Sequence, residues 1–346
     1  LSTDRQIKTP YTNSMNTATL SLIIPVYNRP NEVDELLDSL TKQTRTDFEV
    51  IIVEDGSKET CKHITDKYAD RLAVYYYFIP NGGPGNARNH GATKANSDYL
   101  IVLDSDCILP PAYIEAVHKE LQETGADAFG GPDKASDSFT DVQKAINYSM
   151  TSFFTTGGIR GGKKKMDKFY PRSFNMGIRR SAYEALEGFS AMRFGEDIDF
   201  SIRLYKNGYK VCLFPSAWVF HKRRTDWKKF FRQVYNSGIA RISLFKKYPD
   251  SLKIVHLLPA VFTLGTLFFL IGAFFCKWSL LPLLIYCVLI FLDSSYQNKN
   301  CKIGFLSIIA SFVQLIGYGS GFLAAVWNLL ILKKEKYSAF QKNFYK

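Results

Sequence analysis

Asp104 and Asp106 stand one residue apart, directly after the apolar run 99–103. Two carboxylates so spaced on a chain leaving a buried strand can converge on one divalent cation, and hard oxygen donors suit Mg²⁺ or Mn²⁺. Such a cation neutralises a substrate diphosphate. An exposed acidic turn has the same composition, so the pair alone does not establish a metal site. A second acidic pair, Glu196 and Asp197, follows Gly195 and opens a predicted helix over 198–206. Acids are favoured there by the helix dipole, so a plain N-terminal cap competes with any chemical role. Asp199 and Arg203, spaced i, i+4, read as an ion pair within that helix. His221 ends the apolar run 217–220 and precedes Lys222, Arg223 and Arg224. A lone histidine is usually structural, yet a neutral imidazole is also a common metal ligand.

These residues need a frame. After a polar stretch over 1–19, which reads as a loose tail, short apolar runs alternate with helical stripes. Strands are predicted at 20–26, 49–53, 72–79 and 99–103, and helices at 32–42, 58–70 and 86–95. Strands alternating with helices imply a mostly parallel sheet covered on both faces, with ligands beyond the carboxyl ends of the strands. Those ends carry Tyr27 and Asn28, Glu54 to Ser57, and Asp104 to Asp106. Further on the pattern is less regular. Strands are expected at 126–131 and 211–214, a helix at 141–154, and a mobile Gly-rich basic loop at 157–165.

The chain of 346 residues is 46% hydrophobic, enough for a sizeable core, and its net charge of +12 suits an anionic partner. That charge is concentrated. Residues 222–253 hold ten Lys/Arg against Asp226 and Asp250, and an almost uncharged stretch follows. A basic band before an apolar block reads as a collar at the cytoplasmic membrane surface. Nucleic acid is not an expected partner, because the apolar block offers it nothing. Within the band, residues 227–248 alternate basic and apolar residues at helical spacing, as in an interfacial helix. The apolar runs 254–276, 278–292 and 303–332 read as transmembrane segments, followed by a basic tail, 333–346. Three full crossings would put that tail on the far side from the collar, so the parity stays open. No apolar signal segment opens the sequence, and six cysteines without C-x-x-C spacing read as reduced, so a cytoplasmic catalytic part is expected.

Three tempting motifs fail. Gly83-Pro84-Gly85 lacks the third glycine of a dinucleotide fingerprint. Gly157 to Lys163 nearly matches a phosphate-binding loop, but Lys164 stands where Ser or Thr must be. Asn147-Tyr148-Ser149 is a glycosylation sequon by pattern only.

The stretches SLIIPVYNRPNEVDELLDSLTKQTRTDFEVIIVEDGS, GGPGNARNHGA, YLIVLDSDC, FNMGIRRSAYEALEGF and FGEDIDFSIRLYKNGYKV occur in that order over about residues 20–245. Together they resemble the inverting family 2 glycosyltransferases of GT-A fold, in their membrane-anchored bacterial form. The resemblance implies an α/β GT-A domain over 20–225, an interfacial segment over 226–253 and a helical membrane domain from 254. It also implies a nucleotide-sugar donor, most often a uridine one, and a divalent metal. On the matching positions, Pro25, Tyr27 and Asp55 would line the nucleoside pocket, and Arg88 would sit near the nucleotide. Asp104 and Asp106 would form the metal motif, with His221 completing the metal shell or touching the diphosphate. Asp197 would be the general base, with Glu196 beside it toward acceptor or diphosphate. Gln233, with Arg232 and Arg241, would hold the acceptor or diphosphate. The Q-x-x-R-W of processive synthases is missing, which argues for single-sugar addition. A processive polysaccharide synthase, a nucleotidyltransferase and an inactive binding module remain the rival readings. A lipid-linked saccharide in cell-surface polysaccharide synthesis is the expected acceptor.

Overall fold

The computed structural model describes residues 20–134, 139–157, 169–222 and 226–340, in two compact units. Of the described residues, the first unit takes 20–134 and 169–221, and the second 139–157, 222 and 226–340. The tail 1–19, most of the Gly-rich loop, and Arg223 and Arg224 lie outside the described residues.

In the first unit the chain runs β1 (Leu20–Val26), α1 (Pro30–Leu40), β2 (Phe48–Asp55), α2 (Lys62–Tyr68), β3 (Val74–Ile79), α3 (Pro84–Lys94) and β4 (Tyr99–Leu103). It continues through β5 (Cys107–Ile108), α4 (Tyr113–Thr124), β6 (Ala128–Gly130) and β7 (Asp133–Lys134). Strands β1, β2 and β4 are nearly continuous apolar runs because both their faces are covered. Alternate residues divide between two cores. Leu22, Ile24, Val50, Ile52 and Ile101 pack with Val33, Leu36 and Leu37 of α1 and Ile114 of α4. Ile23, Ile51, Val53, Leu100 and Val102 belong to the opposite core, with Ala87 of α3. Gly91 lets α3 sit close to β1, since a Cβ there would come within 2.5 Å of the Ile23 side chain.

The second unit takes α5 (Asp141–Thr151) and α6 (Phe153–Thr156) out of this run. The chain then returns to the first unit with β8 (Asn175–Arg179), α7 (Arg180–Ala185), α8 (Glu196–Lys206), β9 (Val211–Leu213) and β10 (Val219–His221). The seven-stranded sheet has the order β3-β2-β1-β4-β8-β6-β9. Strands β1 to β4 are parallel, while β8 runs antiparallel to β4 and β6. A three-stranded sheet, β5-β10-β7, stands apart. Parallel pairing of β1 with β2 and β4 brings the carboxyl ends of these strands to one edge.

The second unit adds α9 (Trp227–Lys247), α10 (Leu258–Gly272), α11 (Leu281–Asn298) and α12 (Cys301–Ala325), which runs on as a π-helical turn over Val326–Ile331. The continuous domain expected over 20–225 is interrupted here. The apolar face of α5, Ala145, Ile146 and Met150, packs with Phe230 and Val234 of α9 and with Ile303 and Ala310 of α12. A capping box between Thr140 and Gln143 starts α5. The three expected spans are also revised. Among the described residues, two helices are long and apolar enough to cross a membrane, Lys277–Asn298 and Cys301–Ile331, whereas Leu258–Gly272 is shorter. At 1.5 Å per residue α10 reaches only about 22 Å, against a core of about 30 Å.

Candidate active site

Strand alternation sorts the acids at the end of β2. Glu54 points inward, fully buried, and accepts from the backbone N–H of Cys61 at 2.8 Å and its thiol at 3.0 Å, so it is structural. Asp55 points the other way, toward the loop before α3. One carboxylate oxygen accepts from the Gly82 N–H at 2.7 Å and the other from the Gly83 N–H at 2.9 Å. Burial raises its pKa above the usual range, against the pull of those two donors. The second oxygen also takes a long bond from the Asn81 amide at 3.4 Å, whereas the oxygen on Gly82 keeps an acceptor site with which Asp55 can receive a ligand donor. Tyr27 is exposed beside it on the β1 end, and Pro25 is half-buried. Asn28, in the left-handed region at φ 52°, accepts from the N–H groups of Lys58 and Glu59 and ties the β1 and β2 ends together.

Arg88 on α3 is almost wholly buried and bridges two acids. One guanidinium nitrogen lies 3.0 Å from Asp104 and another 2.9 Å from Glu196. This arginine links the acidic turn after β4 with the start of α8. Gly195, at φ 82°, supplies the left-handed cap that turns the chain into α8 and places Glu196 and Asp197 in its first turn. Burial raises the Glu196 carboxyl despite Arg88, and the neighbouring Asp197 adds to the rise. Burial works against ionisation of Asp197 as well. The Arg172 guanidinium, 2.6 Å from its carboxylate, outweighs this and holds Asp197 below the usual range. Asp199 is held by Arg203 at 2.9 Å and Ser190 at 2.7 Å, the structural pair its spacing predicts.

Asp106 meets His221 through strand register. In the antiparallel β5–β10 pair His221 lies opposite Cys107, which sets its Nε2 3.1 Å from an Asp106 oxygen. The imidazole stacks on Phe174, with ring centroids 4.8 Å apart, and its Nδ1 lies 4.0 Å from Asp133. Potential ligand atoms of Asp106, Cys107 and His221 all fall within 4.8 Å of one another. Cys107 is fully buried and its thiol faces the Phe174 carbonyl oxygen at 3.4 Å, which leaves the carboxylate and imidazole as the useful donors. The other Asp106 oxygen is bonded to Arg29. Oxygen and imidazole donors with a cationic group already attracted to them fit a hard divalent ion.

Arg29 and Arg172 carry no signal in the sequence pattern. Arg29 lies between the strand end and Pro30, and Arg172 in an irregular stretch without periodicity. What marks them is contact with an acid distant in sequence. Arg232, Gln233 and Arg241 lie on α9, in the second unit.

A mainly parallel sheet with an antiparallel strand inserted beside β4 is the GT-A architecture. Comparison with solved structures agrees on the fold. A mannosyltransferase from Pyrobaculum calidifontis, solved with GDP-Man and Mn²⁺, superposes with a TM-score of 0.64 over 93% of this chain and 91% of that one, at 15% identity. Residues 21–187 match the family model described as "Glycosyl transferase family 2". An uncharacterized glycosyltransferase of Haemophilus influenzae is 30% identical over 218 residues, 60% of this chain and 70% of that protein. The chain belongs to glycosyl transferase family 2. A validoxylamine A glucosyltransferase of Streptomyces hygroscopicus is 38% identical over 102 residues, 28% of this chain, and the match spans only 24% of that relative's length.

Proposed function

We propose that this protein transfers a sugar from a nucleotide-sugar donor to an acceptor held at a membrane, with inversion at the anomeric carbon. The observation that carries the reading is the carboxylate group gathered by Arg88. Asp104 and Glu196 share that guanidinium, Asp106 follows Asp104 and meets His221, and Asp197 adjoins Glu196. In this reading Tyr27, Pro25 and Asp55 bind the nucleoside at the sheet edge.

Asp106 and His221, with Asp104 adjacent, would hold Mg²⁺ or Mn²⁺. When bound, that ion supplies positive charge for the diphosphate leaving group. Asp197 accepts the proton of the acceptor hydroxyl as it attacks the sugar carbon from the face opposite the diphosphate. Its ionised state, held by Arg172, keeps it ready to accept. Arg88 holds Asp104 and Glu196 in place. Arg29 must leave Asp106 before a cation can bind there, which its partly exposed side chain permits.

The exposed apolar helices and the basic α9 support a membrane-attached enzyme, with a lipid-linked saccharide as acceptor. Purified protein in detergent should be offered UDP- and GDP-sugars with Mn²⁺ and a lipid-linked acceptor. Release of nucleoside diphosphate with an inverted product linkage is expected. Release of pyrophosphate would assign a nucleotidyltransferase instead.

A further inference from the structure

We infer that the second unit is embedded in one leaflet of an anionic bilayer, with α12 lying along the membrane plane, so that its long apolar helices do not cross. This rests on the reading of that unit as membrane-attached. It replaces the multi-pass arrangement that segment lengths suggest.

The argument starts from α9, which accompanies the second half of α12. Gly317 sits against Phe231 and Val234, and Gly321 against the backbone of Tyr235. Gly238 faces the Tyr318 carbonyl and the Phe322 N–H, and Ile239 and Ile242 cluster with Phe322, Ala325 and Leu329. Over residues 317–329, whatever orientation α12 takes to a membrane, α9 shares it. Upright, α9 would place Gln233, Asn236 and Arg241 at mid-depth among acyl chains, where charged and polar side chains are strongly disfavoured.

The segment after α12 excludes the upright arrangement more firmly. It runs back along α9 from its last turn to its second. The Lys334 carbonyl accepts from Lys246 at 3.2 Å, and the Tyr337 and Tyr235 hydroxyls are 3.4 Å apart. The Phe340 ring lies 5.0 Å from that of Tyr235 and 5.6 Å from the Arg232 guanidinium. Lys246 and Arg232 are fourteen residues apart on a helix, about 21 Å along its axis. The returning segment is irregular and carries exposed Lys333, Lys334, Glu335 and Lys336. Irregular, charged backbone exposed to lipid does not occur in the hydrocarbon region, where no water satisfies its N–H and C=O groups. The side of α9 that bears this segment is therefore wet along most of its length, and α9 and α12 lie parallel to the surface.

The opposite character marks α10, the turn after it and α11. Val261, Leu264, Phe268, Phe274 and Phe275 are exposed, the last two almost completely, as are Leu284, Ile285 and Leu292. Along α12 itself Phe305, Ile309, Trp327 and Ile331 are exposed. An apolar layer thus accompanies a basic helix exposing Lys228, Lys229, Arg232, Lys246 and Lys247. That pairing fits acyl chains below and anionic headgroups at the level of the lysines.

The test uses variants with one reporter cysteine each: whichever of Cys212, Cys276, Cys287 and Cys301 is not the reporter is changed to alanine, and the buried Cys61 and Cys107 are left in place. Full-length protein is reconstituted into phosphatidylethanolamine–phosphatidylglycerol vesicles and treated with a membrane-impermeant maleimide. Ser237→Cys, exposed on α9, defines the fraction of molecules whose α9 faces outward. Lys336→Cys and native Cys301 should label to the same fraction. Native Cys276, between α10 and α11, should stay unlabelled from either face until detergent is added. Labelling of Lys336→Cys or Cys276 on the face opposite Ser237→Cys would overturn the inference, because a helix then crosses. Release of the protein by an alkaline wash without detergent would overturn embedding altogether. Donor consumption measured on the same vesicles tests the catalytic reading separately.

Discussion

At the scale of single residues, three arginines each neutralise an acid of the site, and each pairing has a separate consequence. Asp197 is the proposed base. Asp197→Asn keeps its shape and removes its basicity, so turnover should fall roughly 10²–10⁴-fold, the range typical of a general base. Donor affinity should hold, because the lost interaction belongs to the transition state. A variant that binds donor weakly but keeps its maximal rate would make Asp197 a binding residue. Arg172 is what draws the Asp197 pKa down against burial. A base works above its pKa, so the wild-type rate should persist to low pH. Arg172→Gln removes the cation, the pKa rises, and the acidic limb of kcat/KM should move to higher pH. An unmoved limb would show that Arg172 does not tune the base. Asp106→Asn should abolish turnover, and chelator should do the same to the wild type. Full activity in excess EDTA would exclude the metal role.

At the scale of elements, close approach between helices governs the second unit. A methyl group at Gly238 would come within 2.3 Å of the Tyr318 carbonyl oxygen and 2.7 Å of the Phe322 nitrogen. Both are backbone atoms of α12 and cannot swing aside. Gly238→Ala should therefore push α9 away from α12 at about 1–3 kcal/mol, the usual scale of overpacking. Lower thermal stability in detergent and faster amide exchange in α9 are the expected signs. A variant that melts like wild type would show that the two helices do not touch there. In the first unit, register plays the comparable part. The two-residue strand β5 adds only Cys107 to the core, but its pairing with β10 sets His221 on Asp106.

At the scale of the whole molecule, the division into units changes what truncation means. Segment lengths alone suggest that the chain could be cut at 253 to leave a soluble catalytic part. Yet α12 covers the apolar faces of both α5 and α9. Protein ending at residue 253 should expose Ala145, Ile146, Val234 and Ile239 and aggregate in detergent-free buffer. A monodisperse peak in size exclusion would show that α5 and α9 do not depend on α12.

The sequence by itself determined the alternating strands and helices, the acids at the strand ends and the basic band before the apolar block, because these are local patterns of period and composition. Asp55, Asp104 and Asp106 stood out as acids at strand ends and Glu196 as an acid opening a helix, whereas Arg88 and the part expected of His221 came only from the family resemblance; the structure places all six in the first unit. Tertiary structure alone decided which acids Arg29, Arg88 and Arg172 meet. Arg29 with Asp106 and Arg172 with Asp197 are pairings across loops, where spacing carries no information. It also decided that α5 leaves the sheet unit for the helices. An amphipathic stretch shows that it has an apolar face without showing what covers it. The same reason separates helix length from membrane crossing: length is written in the chain, but the direction of α12 is fixed by α9 and by the segment that returns along it.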